Sequence, residues 1–192
     1  MASVCFYFQV HQPFRLRRFS IFDRGADYFD NPANQEVLRK VASKCYLPAN
    51  AVLLELIEHH GGRFRAAFSL SGLVIEQFQR FAPEVLDSFR RLAETGAVEF
   101  LAETYYHSLA FLYSRQEFVE QVALHGRLMQ RLFGQQPTVF RNTELIYNNA
   151  VARAVAEMGY QAVLCEGADH LLGYRPPAYL YTPPGVPALK LL

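Results

Sequence analysis

The sequence predicts an α/β fold in which parallel strands alternate with crossover helices, closed as a barrel or left as an open doubly wound sheet. Three observations predict it. Five short runs rich in branched and aromatic residues, at 4–10, 64–70, 98–101, 138–140 and 162–165, are separated by stretches of helical period. Gly61, Gly96, Gly134 and Gly159 stand where those helical stretches should close. Polar residues gather around the strand ends: His11 and Gln12 at the first, Glu99, Glu103 and His107 around the third, Glu144 after the fourth, Glu166 and Asp169 after the fifth. In parallel α/β folds the ends that follow the strands share one face, so residues distant in sequence converge there.

Residues 4–10 carry apolar side chains at both parities, the pattern of a strand covered on both sides. Pro13 removes a backbone donor and holds Gln12 extended, so this strand stops and a long loop through Asp23, Asp27 and Asn31-Pro32 begins. Two helices are expected at 34–43 and 48–60, then a strand at 64–70. Two helical segments follow Gly72, with Pro83 suited to the first turn of the second. After the third strand, Phe118, Val122, Leu128 and Leu132 give a helix over 115–133 its apolar face. Asn148 or Asn149 can cap a further helix through Met158. Residues 174–187 hold five of the ten prolines and read as an extended loop or hairpin, with 189–192 opening another element. Nothing marks a domain boundary.

Composition limits the function. With 192 residues, 51% of them hydrophobic, the chain can bury a core as one domain. Its 19 basic and 18 acidic residues nearly cancel, against nucleic-acid or anionic-membrane binding. Arg15-Leu16-Arg17-Arg18 falls short of a phosphate-binding face and reads as a solvated loop. Cys5, Cys45 and Cys165 are odd in number and widely spaced, which suggests neither a disulfide framework nor a zinc ribbon. Met1-Ala2-Ser3 leads straight into an apolar strand, without the pattern of a secretory leader, and no apolar run reaches the roughly 20 residues of a membrane span. A soluble cytoplasmic protein with no cofactor is expected.

Glu144 ends Thr138-Val139-Phe140-Arg141-Asn142-Thr143-Glu144, a short strand running into a polar turn, and is the first catalytic candidate. Its bland alternative is a carboxylate favoured by the dipole of the helix that follows. His11 can donate to a sugar hydroxyl or serve as a loop histidine. Glu99, among apolar neighbours, needs a partner to be tolerated. Glu103 and His107 are four apart, the spacing of two metal ligands on one helix face, but Thr104-Tyr105-Tyr106 favours extended structure and no second histidine completes a set. No metal is assigned. His59-His60 fits a helix end and His125 an ordinary surface position on a helix. No phosphate loop, nucleophile elbow or zincin helix is present.

Taken together, Val10-His11-Gln12-Pro13, Gly96-Ala97-Val98-Glu99-Phe100 and Phe140-Arg141-Asn142-Thr143-Glu144 resemble, in order and rough spacing, the first three signatures of glycoside hydrolase family 57, its α-amylase-like branch above all. The resemblance runs over essentially the whole chain. It implies part of a (β/α)7 barrel acting on α-1,4-glucans, as polysaccharide or oligosaccharide, with retention of configuration. It further implies Glu144 as the nucleophile that forms a covalent glycosyl-enzyme intermediate, and His11 and Glu99 as substrate-site residues. Many members carry tryptophan three positions before the nucleophile, where this chain has Arg141. The family's general acid/base is an aspartate in a fourth signature that has no counterpart here. Residues 1–192 are therefore expected to be the N-terminal part of one catalytic barrel, its C-terminal part absent, and inactive alone. Other readings of the same pattern are a 4-α-glucanotransferase of that family, a metal-dependent polysaccharide deacetylase, and a noncatalytic carbohydrate-binding module.

Overall fold

A computed structural model describes residues 4–192. The Met1-Ala2-Ser3 lead-in, on which the expectation of no leader rested, lies outside them. Six strands run parallel in sequence order: β1 (Phe6–Val10), β2 (Ala66–Leu70), β3 (Val98–Phe100), β4 (Val139–Arg141), β5 (Ala162–Leu164) and β6 (Lys190–Leu191). Hydrogen-bonded ladders join β1, β2 and β3 into one group and β4, β5 and β6 into a second. Ala102 bridges the two groups, donating to Val139 O at 2.9 Å and accepting from Arg141 N at 2.7 Å. Consecutive parallel neighbours with helical crossovers are the order of a barrel wall.

The pleat sorts the side chains. Phe68, Leu70, Val98 and Phe100 turn outward and pack under the helices, Phe68 edge-on to Phe89 at 5.2 Å and Phe100 stacked on Phe133 at 4.2 Å. The register sets Tyr7, Ala67 and Glu99 in one row of the opposite face, and Gln9 with Ser69 in the next. That inner face is polar. The apolar core lies outside the wall in two clusters, one over β1–β3 and one over β4–β6.

The helices have local causes. Asp30 caps α1 (Asn31–Val41), accepting from Ala33 N at 3.0 Å. Where two separate helices are expected, a π-helical turn (Ala42–Tyr46) carries α1 without a break into α2 (Leu47–His59). Its wider ladder accommodates Pro48, whose ring would crowd an ordinary helical carbonyl. Ser71 caps α3 (Gly72–Phe81) and Pro83 opens α4 (Pro83–Glu94). α5 (Arg115–Phe133) starts at Ser114 and ends at Gly134, whose φ of 66° is the left-handed stop that glycine supplies. Asn148 caps α6 (Asn149–Glu157), accepting from Ala150 N and Val151 N, both at 2.9 Å. A short α7 (Asp169–Leu172) follows β5. None of these helices is long and apolar enough to cross a membrane.

Two further expectations change. β1 is an end strand with Phe6 and Phe8 partly exposed, because α1 packs on α3 rather than over β1. His125 is fully buried, not a surface residue: its position on α5 faces β2, where its ring bonds to Leu70 O at 2.8 Å. The proline-rich tail returns as a hairpin, with Tyr181 bridged antiparallel to Leu191.

Candidate active site

The site sits where β1, β3 and β4 end. His11 leaves β1, and its Nδ1 meets the hydroxyl of Ser71 at 2.7 Å, so the residue that caps α3 also orients the imidazole. The His11 ring stacks on His107 with centroids 4.0 Å apart. Burial, with the neighbouring His107 charge, lowers the His11 pKa to about 4 against the pull of Glu103, so His11 is neutral near pH 7.

Glu103 lies just beyond β3, only 1% exposed. Its Oε1 accepts from Ser69 Oγ at 2.6 Å and its Oε2 lies 3.0 Å from His107 Nδ1. His125 donates through Nε2 to Leu70 O, which leaves Nδ1 to accept from the Glu103 backbone N–H at 3.5 Å. Burial alone would raise the Glu103 pKa, but the His107 hydrogen bond, His125 and the Ser69 hydroxyl outweigh it and hold the carboxyl below its ordinary range. Burial lowers the His125 pKa in turn.

His107 is the centre of the arrangement. Its Nε2 is 3.3 Å from Glu144 Oε1, so one imidazole joins a buried carboxylate to one whose side chain is 69% exposed. Glu144 occupies the 3-10 turn Thr143–Leu145 directly after β4. Among the described non-glycine residues, His107, Glu144 and Leu145 have positive φ, at 52°, 54° and 55°. Left-handed backbone costs an L-residue roughly 1–2 kcal/mol, and such strain gathers at functional sites. The two turns are tied together by Thr104 Oγ1 and Thr143 Oγ1 at 3.1 Å. A neutral imidazole has one N–H, whereas both His107 nitrogens face carboxylates.

Arg141, 2% exposed on the inner face of β4, donates to Gln9 Oε1 at 2.7 Å. That fixes the amide so that Gln9 Nε2 points to His107 Nε2, 3.5 Å away.

The structure thus brings His11 and Glu144 together through His107. It does not bring Glu99 to them. Glu99 accepts from Thr138 Oγ1 at 3.2 Å and lines a recess among residues at the strand starts, including Phe6, Arg65 and Gly96. At about 3.3 Å per residue, it lies roughly 13 Å below Glu103 along β3. Glu103 and His107 pair, but across a turn rather than on a helix face, and no described group of three or more His, Cys, Asp or Glu is placed to hold a metal. Glu166 lines a separate recess with Cys165, Leu171 and Leu191, and Asp169 opens α7. The signal that could have found Glu103 is the strand period: 99, 101 and 103 share a face, and 103 is the one carboxylate of the three positions that lies beyond the strand end.

Residues 5–192 match the family model "Glycosyl hydrolase family 57". A "Putative alpha-amylase" of Methanocaldococcus jannaschii is 43% identical over 186 residues, 94% of this chain and 39% of that protein. The chain therefore spans about two fifths of that relative's length. The 4-alpha-glucanotransferase of Thermococcus litoralis superimposes with a TM-score of 0.75 at 17% identity, over 98% of this chain and 27% of its own. The alpha-amylase AmyC of Thermotoga maritima does so with a TM-score of 0.68 at 13% identity, over 100% and 45%. At such identities the two structures establish the shared barrel-type fold.

Proposed function

Because the chain belongs to glycosyl hydrolase family 57, we propose that it carries the nucleophilic half of a retaining α-glucan-active site, with Glu144 as nucleophile. A Glu144 oxygen bonds to the anomeric carbon as the bond from that carbon to the leaving oxygen breaks, giving a glycosyl ester that water or a second sugar then takes over. Hydrolysis and 4-α-glucan transfer share this intermediate. His11, neutral and held at Nδ1 by Ser71, offers Nε2 to a substrate hydroxyl. Glu99 has no part in this reading, since Thr138 occupies it at the other end of β3.

What carries the proposal is Glu144 itself: an exposed carboxylate at the C-terminal end of a barrel strand, on strained backbone, in hydrogen-bond contact with a buried acid–imidazole pair. Its partner is the missing piece. A retaining site needs a second carboxyl about 5–5.5 Å from the first to protonate the leaving oxygen. We place that acid/base in the part of the relatives that this chain does not span, and residues 4–192 as one section of the barrel. General acid catalysis is typically worth about 10²–10⁴-fold, so the 192-residue chain should show little turnover of starch.

A maltosyl fluoride of α configuration with a ring 5-fluorine tests the nucleophile without the acid. Fluoride leaves unprotonated, and the 5-fluorine slows loss of the ester. The expected result is one sugar per chain by intact mass, mapped to Glu144 and missing in Glu144→Gln. Adduct on another residue, or rapid amylolysis by the isolated chain, would refute the proposal.

A further inference from the structure

We propose that His107 is a positioning residue that holds the Glu144 carboxylate in its attacking orientation, with Glu103 as its buried anchor. The inference rests on Glu144 as the nucleophile. Left alone, Glu144 would be a poor one: its side chain is 69% exposed, and a glutamate in water samples many rotamers. The contact from His107 Nε2 at 3.3 Å selects among them.

The imidazole can do this because it is itself fixed on every side. Its Nδ1 lies 3.0 Å from Glu103 Oε2, and Glu103 is locked by Ser69 Oγ and by its own N–H against His125. The His11 ring stacks on one face at 4.0 Å. The backbone of its turn is pinned where His107 N donates to Thr104 O at 3.0 Å and Ser108 N to Thr104 Oγ1 at 2.9 Å. Thr104 in turn meets Thr143, the residue before Glu144, so imidazole and carboxylate are held in register by both side chain and turn.

His107 is not the missing acid. The acid of a retaining site stands about 5–5.5 Å from the nucleophile, leaving the glycosidic bond between them. A group in hydrogen-bond contact with Glu144 has no room for it. Its role is the one oriented second groups play for catalytic side chains: removing alternative orientations before substrate arrives.

The test uses the 192-residue chain with two readouts. Long-range proton–nitrogen spectra of 15N-histidine protein follow the ring nitrogens. Glu144→Gln is expected to move the His107 Nε2 signal and Glu103→Gln its Nδ1 signal. The second readout is the rate of labelling by the 5-fluoro maltosyl fluoride. His107→Asn, which tolerates the left-handed backbone but is too short to span both carboxylates, is expected to slow labelling 10- to 100-fold at a temperature where circular dichroism shows the variant folded. His107→Gln, long enough to donate one hydrogen bond, should recover part of the loss. Labelling of His107→Asn at the wild-type rate, or ring nitrogens that ignore Glu144→Gln, would overturn the positioning role while leaving the nucleophile in place. A wild-type chain that takes no label, with His107 signals still coupled to both carboxylates, would instead overturn the nucleophile assignment on which the role depends.

Discussion

Replacing Gly72 by alanine should destabilise the protein although the site is the first turn of a helix, where alanine is ordinarily preferred. A β-carbon built at Gly72 lies 2.6 Å from Cγ, Cδ1 and Cε1 of Tyr105. That ring cannot swing aside freely. It is buried, its hydroxyl donates to Glu76 Oε1 at 2.7 Å, and Tyr106 packs edge-on at 4.9 Å. Overpacking of this kind costs about 1–3 kcal/mol, and the helical gain of alanine over glycine returns roughly 0.5–1 kcal/mol of it. With three ring atoms at 2.6 Å the cost lies in the upper part of that range, so a net loss of about 1–2.5 kcal/mol lowers Tm by roughly 2–10 °C for a domain of this size. Thermal unfolding followed by circular dichroism measures it. Tyr105→Ala in the same chain removes the obstacle, so Gly72→Ala on that background should be neutral or stabilising, and the cycle gives the coupling directly. An unchanged or raised Tm for the single variant would refute the close approach of Tyr105 to α3.

Two other stability experiments follow from the site. Ser71→Ala removes both the α3 cap and the partner of His11 Nδ1. The loss should be about 1–2 kcal/mol, read as a fall in Tm of a few degrees, whereas a shift below about 1 °C would mean that the cap is redundant. Acid should unfold the protein in two stages. His11 and His125 have folded pKa values below the ordinary 6.5, so the unfolded chain takes up their protons first and stability falls as pH drops from about 6.5 towards 4. Glu103 is held below its ordinary 4.5, so the stability it contributes is present above that value and lost as pH falls further. A Tm that stays flat from pH 7 to pH 5 would contradict the burial of the two imidazoles.

Much of the fold was legible because its signals are local. Pro83, Gly134 and Asn148 stand at the helix ends that their backbone chemistry favours, and the apolar period of 115–133 needed nothing from the rest of the chain. The exposure of β1 was not legible, since its cover depends on where α1 packs. The continuous helix from Asn31 to His59 was missed because Pro48 reads locally as a break, while a π-turn lets the chain pass it.

The site divides the same way. His11 and Glu144 follow directly from strand ends. Glu103 and His107 could be paired by number but not by geometry, because their contact depends on a turn with His107 at φ 52°. Glu99 stands apart from both pairs. It sits in the run that resembles a family signature, yet from the middle of the three-residue β3 it lines the recess among the strand starts, away from His11, His107 and Glu144.

The two core clusters give the bridge a second meaning. One cluster belongs to β1–β3 and the other to β4–β6, while α5 contributes Phe118 and Val122 to the latter and Leu128 and Met129 to the former. Between the two groups of strands the wall is stitched by the two backbone bonds of Ala102. Glu103 and His107 come from one side of that seam and Glu144 from the other. Proteins open along such boundaries in cooperative units, so the Ala102 amide should exchange with solvent deuterium faster than the amides inside the β1–β3 and β4–β6 ladders. A sugar ester on Glu144 would then be reported by slower exchange at a backbone position it never touches.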